Sequence, residues 1–426
     1  MQRPVRNPSA AGPSADPSAP SLATPTPAWE SWLQDAGPDG AERAFVAVLT
    51  GVARARTGLS EKLKVRSTTV SAWVAAMVQA GLLTEQMRKP AGRGRPRGYL
   101  QANPDRLAVS VVMVHSQSLH VSVVNLSGRE LWHESTPVAA DASNAVMRNA
   151  LRALQNRAIE QLNPQTSLVG VSFSLSGLVN IATSQWVFSS RWPNVSKLGL
   201  RDCAVPRGVQ IHVVRNVDAQ LLARHMRKDH VGADRRTLLL HWGYGIGMTF
   251  GPASLASTAT GQRAYGYGEV GHWQLAGQRM LCRCGHVGCL ETVASLWAIG
   301  PALLGDRFDE TMDETQVARL LQDKVLTRSR VFKRALHEMT EVLINLCRLY
   351  FPSEVVVSGP FIENSDVWAA LTGAAGQRDL LVGLPMPPLV RQHIGHQLEK
   401  EGAAMPLLLR GLKELVARSL QQGSAT

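Results

Sequence analysis

Cysteine and histidine side chains cluster in one short stretch of the sequence. Cys282, Cys284 and Cys289 lie within eight residues, and His272 precedes the first of them by ten positions. Three thiolates and one imidazole can surround a tetrahedral zinc ion, and four protein ligands leave no position open for chemistry. The spacing therefore predicts a structural zinc site, with His286 as the alternative fourth ligand.

The remaining cysteines and the composition limit the class of protein. Cys203 and Cys347 are isolated, which predicts buried thiols rather than a disulfide framework and favours a reducing compartment. The 426 residues exceed one ordinary core, and 45% of them are hydrophobic. No apolar run reaches the roughly 18 residues of a membrane span, and the N-terminus lacks the apolar region of a secretory signal. We therefore expect a cytoplasmic, multidomain protein without membrane contact.

Basic charge is concentrated in one segment. Between Arg43 and Arg106 there are 12 Lys and Arg residues against 3 acidic ones, which gives +9 of the net +12. Such a segment is the electrostatic signature of a module that binds a polyanion. A solvated basic surface is the alternative interpretation of charge alone.

The hydrophobic pattern of the same segment predicts three helices and a wing. Apolar residues from Phe45 to Val52 have helical spacing and predict a helix that ends near Gly58. A short helix at Leu59–Leu63 and a third helix over 67–80 follow, with Gly81 as the stop. Val70, Val74, Met77 and Val78 are expected on the buried face of the third helix, and Tyr99 and Leu100 in the second strand of the wing.

This order resembles the winged helix-turn-helix of many bacterial regulators, with Lys64 in the turn where glycine is common. The resemblance predicts a DNA-binding domain over residues 41–106, with double-stranded operator DNA as the partner. An ordinary three-helix unit with a flexible basic linker is the alternative. The candidate DNA contacts are Arg66, Ser67, Thr68, Thr69 and Ser71 at the start of the third helix, and Arg93, Arg95 and Arg97 in the wing.

The segments on either side differ in composition. Residues 1–40 are rich in Pro, Ala and Ser, and we expect a disordered tail. Residues 107–426 alternate predicted strands with predicted helices, which indicates an α/β protein. That length exceeds one lobe, so two lobes facing a cleft would fit.

Five motifs together resemble the ROK family of repressors and sugar kinases. The family signature is similar to His272 with Cys282–Glu291, and further matches are Ser176–Asn180, Gly243–Gly247, Ser358–Pro360 and Gly402–Ala404, the last at a helix start. The resemblance covers about residues 41–410. It implies the two-lobed actin-like ATPase (ribonuclease H-like) fold, with the zinc motif beside a sugar site.

Two positions separate this sequence from the kinases that it resembles. In the family a catalytic Asp begins an interdomain helix, and Asn216 is aligned with it here; Asp218 takes the place only if the register shifts. A carboxylate is needed to accept the proton of the attacking hydroxyl. The family's glycine-rich first phosphate loop corresponds to Val114–Ser118, which has neither glycine nor acid. The resemblance therefore implies a protein that is not an enzyme.

The resemblance also implies a sugar-binding site. Its candidate residues are Gly177, Asn216, Glu269, His272 and Glu291. Alternatively, Glu291 only caps or pairs beside the zinc loop. Arg215 either favours an anionic ligand such as a sugar phosphate or fills the pocket through a salt bridge.

These observations predict a transcriptional regulator, most simply a repressor of carbohydrate-related genes. The domain over 107–426 would bind a sugar or sugar phosphate without phosphorylating it, and a homodimer or homotetramer would bind paired half-sites. Two alternatives stay open. One is a sugar kinase with an added DNA-binding domain, and the other is a DNA-binding protein with a decayed pocket that a partner controls.

Overall fold

Three helices and a two-stranded sheet form the N-terminal head, residues 40–106. The computed structural model describes residues 40–88, 97–227, 236–251 and 268–423, together with Trp29 and Trp32. The elements of the head are α1 (Glu42–Leu49), α2 (Arg56–Leu63), α3 (Ser67–Gln79), β1 (Leu83–Arg88) and β2 (Arg97–Ala102), and the two strands pair antiparallel.

Two details of the head differ from the sequence prediction. The first helix ends at Leu49 and not near Gly58, because Gly51 adopts a φ of +76° that a helix cannot continue. Val78 is 38% exposed, so its placement on the buried face of α3 was wrong. In the turn before α3, Lys64 has a φ of +55°, the left-handed conformation for which glycine is common there.

A five-stranded sheet forms the centre of lobe 1. Its strands are β3 (Leu107–His115), β4 (Ser118–Asn125), β5 (Glu130–Pro137), β6 (Ser167–Leu175) and β10 (Gln210–Arg215), with a small sheet of β7 (Leu178–Asn180), β8 (Gln185–Phe188) and β9 (Ser196–Gly199). In the large sheet the strand order is β10-β6-β3-β4-β5; β10, β6 and β3 pair parallel, and β3 with β4 and β4 with β5 pair antiparallel. The helices of this lobe are α4 (Asn144–Glu160), α5 (Asn216–Met226) and α11 (Gln397–Gly423).

The buried strand β3 explains why this lobe needs helices on both faces. Successive side chains of a strand point to opposite faces. Val109 and Val111 belong to a core that includes α11, whereas Val112 and Val114 belong to a core that includes α4. The near-continuous apolar run of β3 therefore reflects burial on both sides.

Lobe 2 has its own four-stranded sheet. The strands are β11 (Thr237–Trp242), β12 (Ile246–Gly251), β13 (Glu354–Ser358) and β16 (Leu389–Gln392), with a hairpin of β14 (Asp379–Leu381) and β15 (Leu384–Pro385). The strand order of the sheet is β12-β11-β13-β16. The helices are α6 (Glu291–Ala294), α7 (Leu296–Leu304), α8 (Glu314–Gln322), α9 (Arg330–Tyr350) and α10 (Ser365–Gly376). The two lobes thus have the α/β character that the sequence predicted.

The head and lobe 1 share one hydrophobic core. Buried residues of α1 and α3, such as Phe45 and Val70, belong to the same cluster as Leu412 and Val416 of α11. Polar contacts reinforce this joint, because Arg106 donates through Nε to the carbonyl of Ala80 (2.8 Å) and through Nη1 to a hydroxyl at the start of β6 (2.6 Å). Arg106, which directly precedes β3, therefore connects the end of α3 to lobe 1.

The chain ends bear on two predictions. Almost all of the predicted disordered tail lies outside the described residues, but Trp29 within it is fully buried in the core shared by head and lobe 1, and its indole donates to the carbonyl of Leu126. The Gly402–Ala404 motif does not start a helix, because α11 begins at Gln397. Gly402 instead permits a close helix crossing, since a Cβ there would lie 1.9 Å from the carbonyl oxygen of Ala219.

No helix among the described residues is both long enough and apolar enough to cross a lipid bilayer.

Candidate ligand cleft and metal cluster

A cleft between the two lobes collects the residues expected to bind a ligand. All five of them line it: Gly177, Asn216, Glu269, His272 and Glu291. They come from the end of β6, the start of α5 and the segment between β12 and α6. The fold therefore brings together residues that lie more than a hundred positions apart in the sequence.

The first of these residues, Gly177, allows a tight turn at the wall of the cleft. Its φ is +84°, and a Cβ at this position would lie 2.4 Å from the carbonyl oxygen of Phe188. A side chain would thus collide with the strand opposite.

Asn216 occupies the first position of α5, and its neighbour Arg215 is held by acids. The guanidinium of Arg215 contacts Asp218 Oδ2 and Glu269 Oε1, each at 3.2 Å, and donates to the carbonyl of Met248. Arg215 is only 3% exposed. Arg215 therefore forms ion pairs within the wall of the cleft, which agrees with the salt-bridge role predicted for it as one of two alternatives.

The two candidate glutamates of the cleft, Glu269 and Glu291, also bond to protein groups. Glu291 accepts from the backbone amide of Ile246 through Oε1 (3.0 Å) and from the indole of Trp297 through Oε2 (3.3 Å). Burial raises the pKa of Glu291. Its carboxylate therefore fixes the start of β12 against α6, which is the alternative role considered for it, while it also lines the cleft.

Three cysteines and one histidine form a compact cluster next to the cleft. One ligand atom from each of His272, Cys282, Cys284 and Cys289 lies within 4.8 Å of all the others. The Sγ atoms of Cys284 and Cys289 are 3.7 Å apart, and Cys282 Sγ is 3.7 Å from His272 Nδ1. Zinc–sulfur bonds of about 2.3 Å in a tetrahedron would separate two sulfurs by about 3.8 Å, so the spacing fits one metal ion.

The competing imidazole lies at the edge of this cluster. His286 is exposed, and its imidazole lies 3.7 Å from the Sγ atom of Cys284, measured from Nδ1, while its carbonyl accepts from the backbone amide of Cys282. Burial raises the pKa of Cys282 to about 12, so a cation is needed to stabilise its thiolate. The geometry favours His272 over His286 as the fourth ligand.

Sequence reasoning missed a group of ionisable side chains at the opposite wall of the cleft. His115 ends β3, and His396 and Glu399 lie where α11 begins. Burial and two neighbouring imidazoles, those of His396 and His120, hold the pKa of His115 well below its usual range. Burial raises the pKa of Glu399 to about 7. No short motif could have revealed this group, because its members come from opposite ends of the lobe's sequence.

Polar contacts connect the lobes across the cleft. Ser116 Oγ donates to the carbonyl of Met312 (2.7 Å), and His396 Nε2 lies 3.1 Å from Asp313 Oδ2. Arg191 stacks on the ring of Tyr244, with 3.9 Å between the guanidinium carbon and the ring centroid. Each of these three contacts joins a residue of lobe 1 to a residue of lobe 2. They lie at the cleft, and a small apolar cluster of Val217 and Leu221 with the lobe 2 sheet joins the lobes as well.

A second candidate surface lies on the head. Arg66, Ser67 and Thr68 are exposed, and Thr69 and Ser71 are half-buried, so the start of α3 faces solvent. The backbone of Arg97 belongs to β2, but its side chain, like Arg93 and Arg95, lies outside the described residues. Exposed Lys62 and Lys64, which were not chosen as candidates, lie beside the predicted set in the chain.

An ion pair holds the helices of the head in place. Arg56 contacts Glu85 of β1 (2.7 Å) and donates to the carbonyl of Ser71 (3.0 Å). The hydroxyl of Ser60 donates to the carbonyl of Val65 in the turn (2.6 Å). These bonds fix α2, α3 and the strand pair relative to one another.

Known proteins share this architecture. The xylose repressor of Caldicellulosiruptor bescii is 22% identical over 321 residues, which span 71% of this chain and 78% of that protein. A ROK family transcriptional regulator, a homologue of the E. coli MLC protein, superposes with a TM-score of 0.62 at 18% identity over 92% of this chain and 99% of its own. A ROK hexokinase from Thermus thermophilus gives a TM-score of 0.51 at 22% identity over 71% and 99%.

The two solved structures show that this chain has the two-lobed fold common to a regulator and a kinase. The regulator matches a larger share of the chain than the kinase does. The sequence model of the ROK family matches residues 114–407, well over half of the chain. This chain belongs to the ROK family.

Proposed function

We propose that this protein is a DNA-binding transcriptional regulator, a repressor of carbohydrate-related genes, whose cleft binds a sugar without phosphorylating it. The observation that carries the proposal is the basic head with the exposed start of α3, packed into one core with a ROK domain. A relative that is named xylose repressor supports repression and a sugar effector.

The head supports DNA binding through its shape and charge. We interpret α2, the turn and α3 as a helix-turn-helix, and β1 with β2 as its wing. In this arrangement the start of α3 enters the major groove. Arg66, Ser67, Thr68, Thr69 and Ser71 would contact bases or nearby phosphates, and the wing arginines would contact phosphates or the minor groove.

Two variants of the head test the DNA-binding role. Lys64→Ala removes an exposed positive charge in the turn, and we expect weaker binding to all duplexes and a salt slope lower by about 1. Thr68→Ala should relax sequence preference at one base pair, by about 1–3 kcal/mol. Arg334→Ala removes an exposed arginine of α9 in lobe 2 and serves as the control. Equal losses in all three variants would contradict the proposed interface.

Phosphoryl transfer is disfavoured by the side chains of the cleft. Asn216 lines it at the position of the family's catalytic acid, and an amide cannot accept the substrate proton at neutral pH. Asp218 is bound to Arg215 and is not among the residues that line the cleft in the described structure. The turn at Ser116 bonds to lobe 2 in place of a glycine-rich phosphate loop. Coupled turnover with ATP and a panel of hexoses tests this directly, since turnover would overturn it.

The effector of the proposed regulator is a sugar or a sugar phosphate. Glu269 and His272 offer hydrogen-bonding groups for ring hydroxyls, and Asn216 adds an amide. Arg215 is already neutralised by two carboxylates, which favours an uncharged sugar. Equal affinity for a sugar and its phosphate would count against an anionic effector, and strong preference for the phosphate would argue for one.

The metal of the cysteine cluster is proposed to be zinc. His272, Cys282, Cys284 and Cys289 would hold it as four protein ligands, and a closed tetrahedral zinc contributes stability rather than catalysis. The ion would fix the loop between β12 and α6, which positions Glu291 and His272 at the cleft.

Coupling between cleft and DNA requires that the ligand bind one arrangement of the lobes better than another. Because the head shares its core with lobe 1, a change of lobe orientation would move the heads of a homodimer or homotetramer relative to each other. Helix-turn-helix proteins bind half-sites at a fixed spacing, so such a movement would alter operator affinity.

A partner-regulated DNA-binding protein is the second candidate. It is favoured by one specific observation, that Glu291 and Glu269 both bond to protein groups. A thermal-shift screen of sugars and sugar phosphates on the zinc-loaded protein, with and without ATP and magnesium, separates the candidates. A ligand that raises the melting temperature without ATP supports the sensor, since stabilisation reports binding to the folded state. No shift with any sugar supports control by a partner.

A further inference from the structure

A second group of metal-ligating side chains lies in the cleft and shares no residue with the cysteine cluster. One ligand atom from each of His115, His396 and Glu399 lies within 4.8 Å of the other two. His115 is the last residue of β3, whereas His396 directly precedes α11 and Glu399 lies in its first turn. The sheet and the helix therefore supply ligands from separate, firmly packed elements.

The facing atoms of His115 and Glu399 are buried and incompletely bonded, whereas the side chain of His396 is 38% exposed. Nε2 of His115 is buried and has no hydrogen-bond partner among the described residues. It lies 3.8 Å from Glu399 Oε2, which is too long for a hydrogen bond. The other oxygen, Oε1, accepts from the hydroxyl of Ser174 at 2.7 Å. A buried imidazole nitrogen thus faces a buried carboxylate oxygen across a gap that no described protein atom bridges.

A carboxylate orients the second imidazole. His396 Nε2 lies 3.1 Å from Asp313 Oδ2. When Nε2 donates this bond, the lone pair of the ring is on Nδ1 and is available to a metal. Metal-binding histidines almost always donate their other nitrogen in this way, and the acceptor fixes the ring and increases its basicity.

We propose that His115, His396 and Glu399 form a second metal site, for a divalent transition ion such as Zn²⁺ or Co²⁺. Two imidazoles and one carboxylate are a common ligand set for these ions. Bonds of about 2.0–2.1 Å would place the ligand atoms about 3.3 Å apart. Binding of the ion would therefore bring the facing atoms of His115 and Glu399, now 3.8 Å apart, closer by about half an ångström, and it would move the two imidazole rings, whose centroids are 3.6 Å apart, away from each other.

Three protein ligands leave at least one position of such an ion open. A site of this kind accepts water or an oxygen of a bound molecule, unlike a site with four protein ligands. The open position faces the cleft, because His115, His396 and Glu399 all line it. The ion would thus offer direct coordination to a hydroxyl of a ligand in the cleft.

A cobalt titration of the tag-free, full-length protein tests the site. Metal is removed and Co²⁺ is added while the visible spectrum and the bound metal per chain are measured. We expect two equivalents, one with the sulfur-to-cobalt charge-transfer absorption of a thiolate site and one without it. His115→Gln and Glu399→Gln should each weaken the sulfur-free equivalent at least tenfold and leave the thiolate equivalent unchanged.

Two further variants serve as controls. His393→Gln changes an exposed imidazole three residues before His396, and both equivalents should remain. Cys284→Ser should remove only the equivalent with thiolate absorption. If a cleft variant still binds Co²⁺ at the cysteine cluster, the variant is folded. Glu399→Gln preserves the shape of the side chain, so this variant decides the test if His115→Gln fails to fold. One equivalent in the unaltered protein, or a second equivalent that survives both cleft variants, would overturn the proposal.

Discussion

Lobe 1 is joined to its two neighbours in different ways. Its joint with the head is a large continuous hydrophobic core, to which α1, α3 and α11 all contribute. Its joint with lobe 2 combines a small apolar cluster, in which Val217 and Leu221 of α5 pack against two residues of the lobe 2 sheet, with polar contacts around the cleft, such as those of Ser116 and His396. A ligand in the cleft can replace polar contacts there, whereas it cannot reach the buried apolar core of head and lobe 1. We therefore expect the head to move with lobe 1 and a ligand to change the position of lobe 2 relative to both.

Helix α11 takes part in both joints. Its 27 residues span about 40 Å at 1.5 Å per residue. His396 and Glu399 at its beginning lie in the cleft, while Leu412 and Val416 belong to the core shared with the head. A ligand that acts on the beginning of this helix therefore acts on an element that packs against the head.

The largest expected effect comes from a break in the apolar joint. Leu412→Ala should reduce the free energy of unfolding by about 2–5 kcal/mol, because it leaves a cavity in a fully buried position. Leu349→Ala removes a leucine that is 65% exposed on α9, and its effect should stay within about 0.5 kcal/mol. Chemical denaturation measures both values. Similar small losses in the two variants would show that the head is not rigidly joined.

Metal loss should weaken lobe 2 and spare the apolar joint. In Cys284→Ser the bound metal should fall from one equivalent to none at the cysteine cluster, and the melting temperature should drop by several degrees, because the ion stabilises the folded loop. Cys347→Ala changes a buried, isolated thiol of α9 and should keep its metal. Elemental analysis and calorimetry check this prediction. Full metal content in Cys284→Ser would contradict the assignment of ligands.

A smaller effect is expected when a bond of the polar joint is removed. Ser116→Ala deletes the hydroxyl that donates to Met312, which should cost about 0.5–1.5 kcal/mol of stability. The same change should alter ligand affinity in the cleft, because the closed arrangement becomes less favourable. Ser118→Ala in the same turn, for which the described structure shows no bond to lobe 2, is the matched control. Identical ligand affinity in both variants would mean that the contact of Ser116 with Met312 does not affect ligand binding in the cleft.

The smallest effect is a pH dependence inside lobe 2. His241 Nε2 lies 3.1 Å from Glu314 Oε2. Burial alone would lower the pKa of His241, but Glu314 outweighs burial and leaves this pKa raised. A raised pKa gives a stabilising contribution that is complete below the unfolded value of 6.5 and is lost as pH rises through the folded value. Glu314 has a lowered pKa and stays ionised throughout.

The stability difference between the unaltered protein and His241→Gln should therefore be larger at pH 6 than at pH 9. Urea unfolding at both values measures it, with His337→Gln, a change on α9, as the control. A difference that grows toward pH 9 would contradict the assigned ion pair.

Local motifs made part of this molecule predictable. The cysteine cluster lies within residues 272–289, so its spacing alone predicted that these cysteines would meet an imidazole, either His272 or His286. Local apolar spacing and Gly81 likewise predicted helix α3 of the head. The cleft residues were reached through family motifs, because no local rule relates Gly177 to Glu291.

Long-range packing made the rest unpredictable. His115 and Glu399 meet only because β3 and α11 pack together, and single histidines carry no signal in a sequence. Trp29 lies in a segment whose composition indicates disorder, yet its indole is buried and hydrogen-bonded. Val78 has helical spacing but faces solvent, because periodicity alone does not fix the width of a buried face.

The most direct test of the central claim is a measurement of operator affinity with and without a ligand of the cleft. A duplex selected by the protein from random sequence serves as the operator, and the ligand is the sugar that raises the melting temperature most. We predict that this sugar changes operator affinity at least fivefold, and that the operator changes sugar affinity by the same factor, as linkage requires. A sugar that binds in the cleft and leaves operator affinity unchanged would contradict the account.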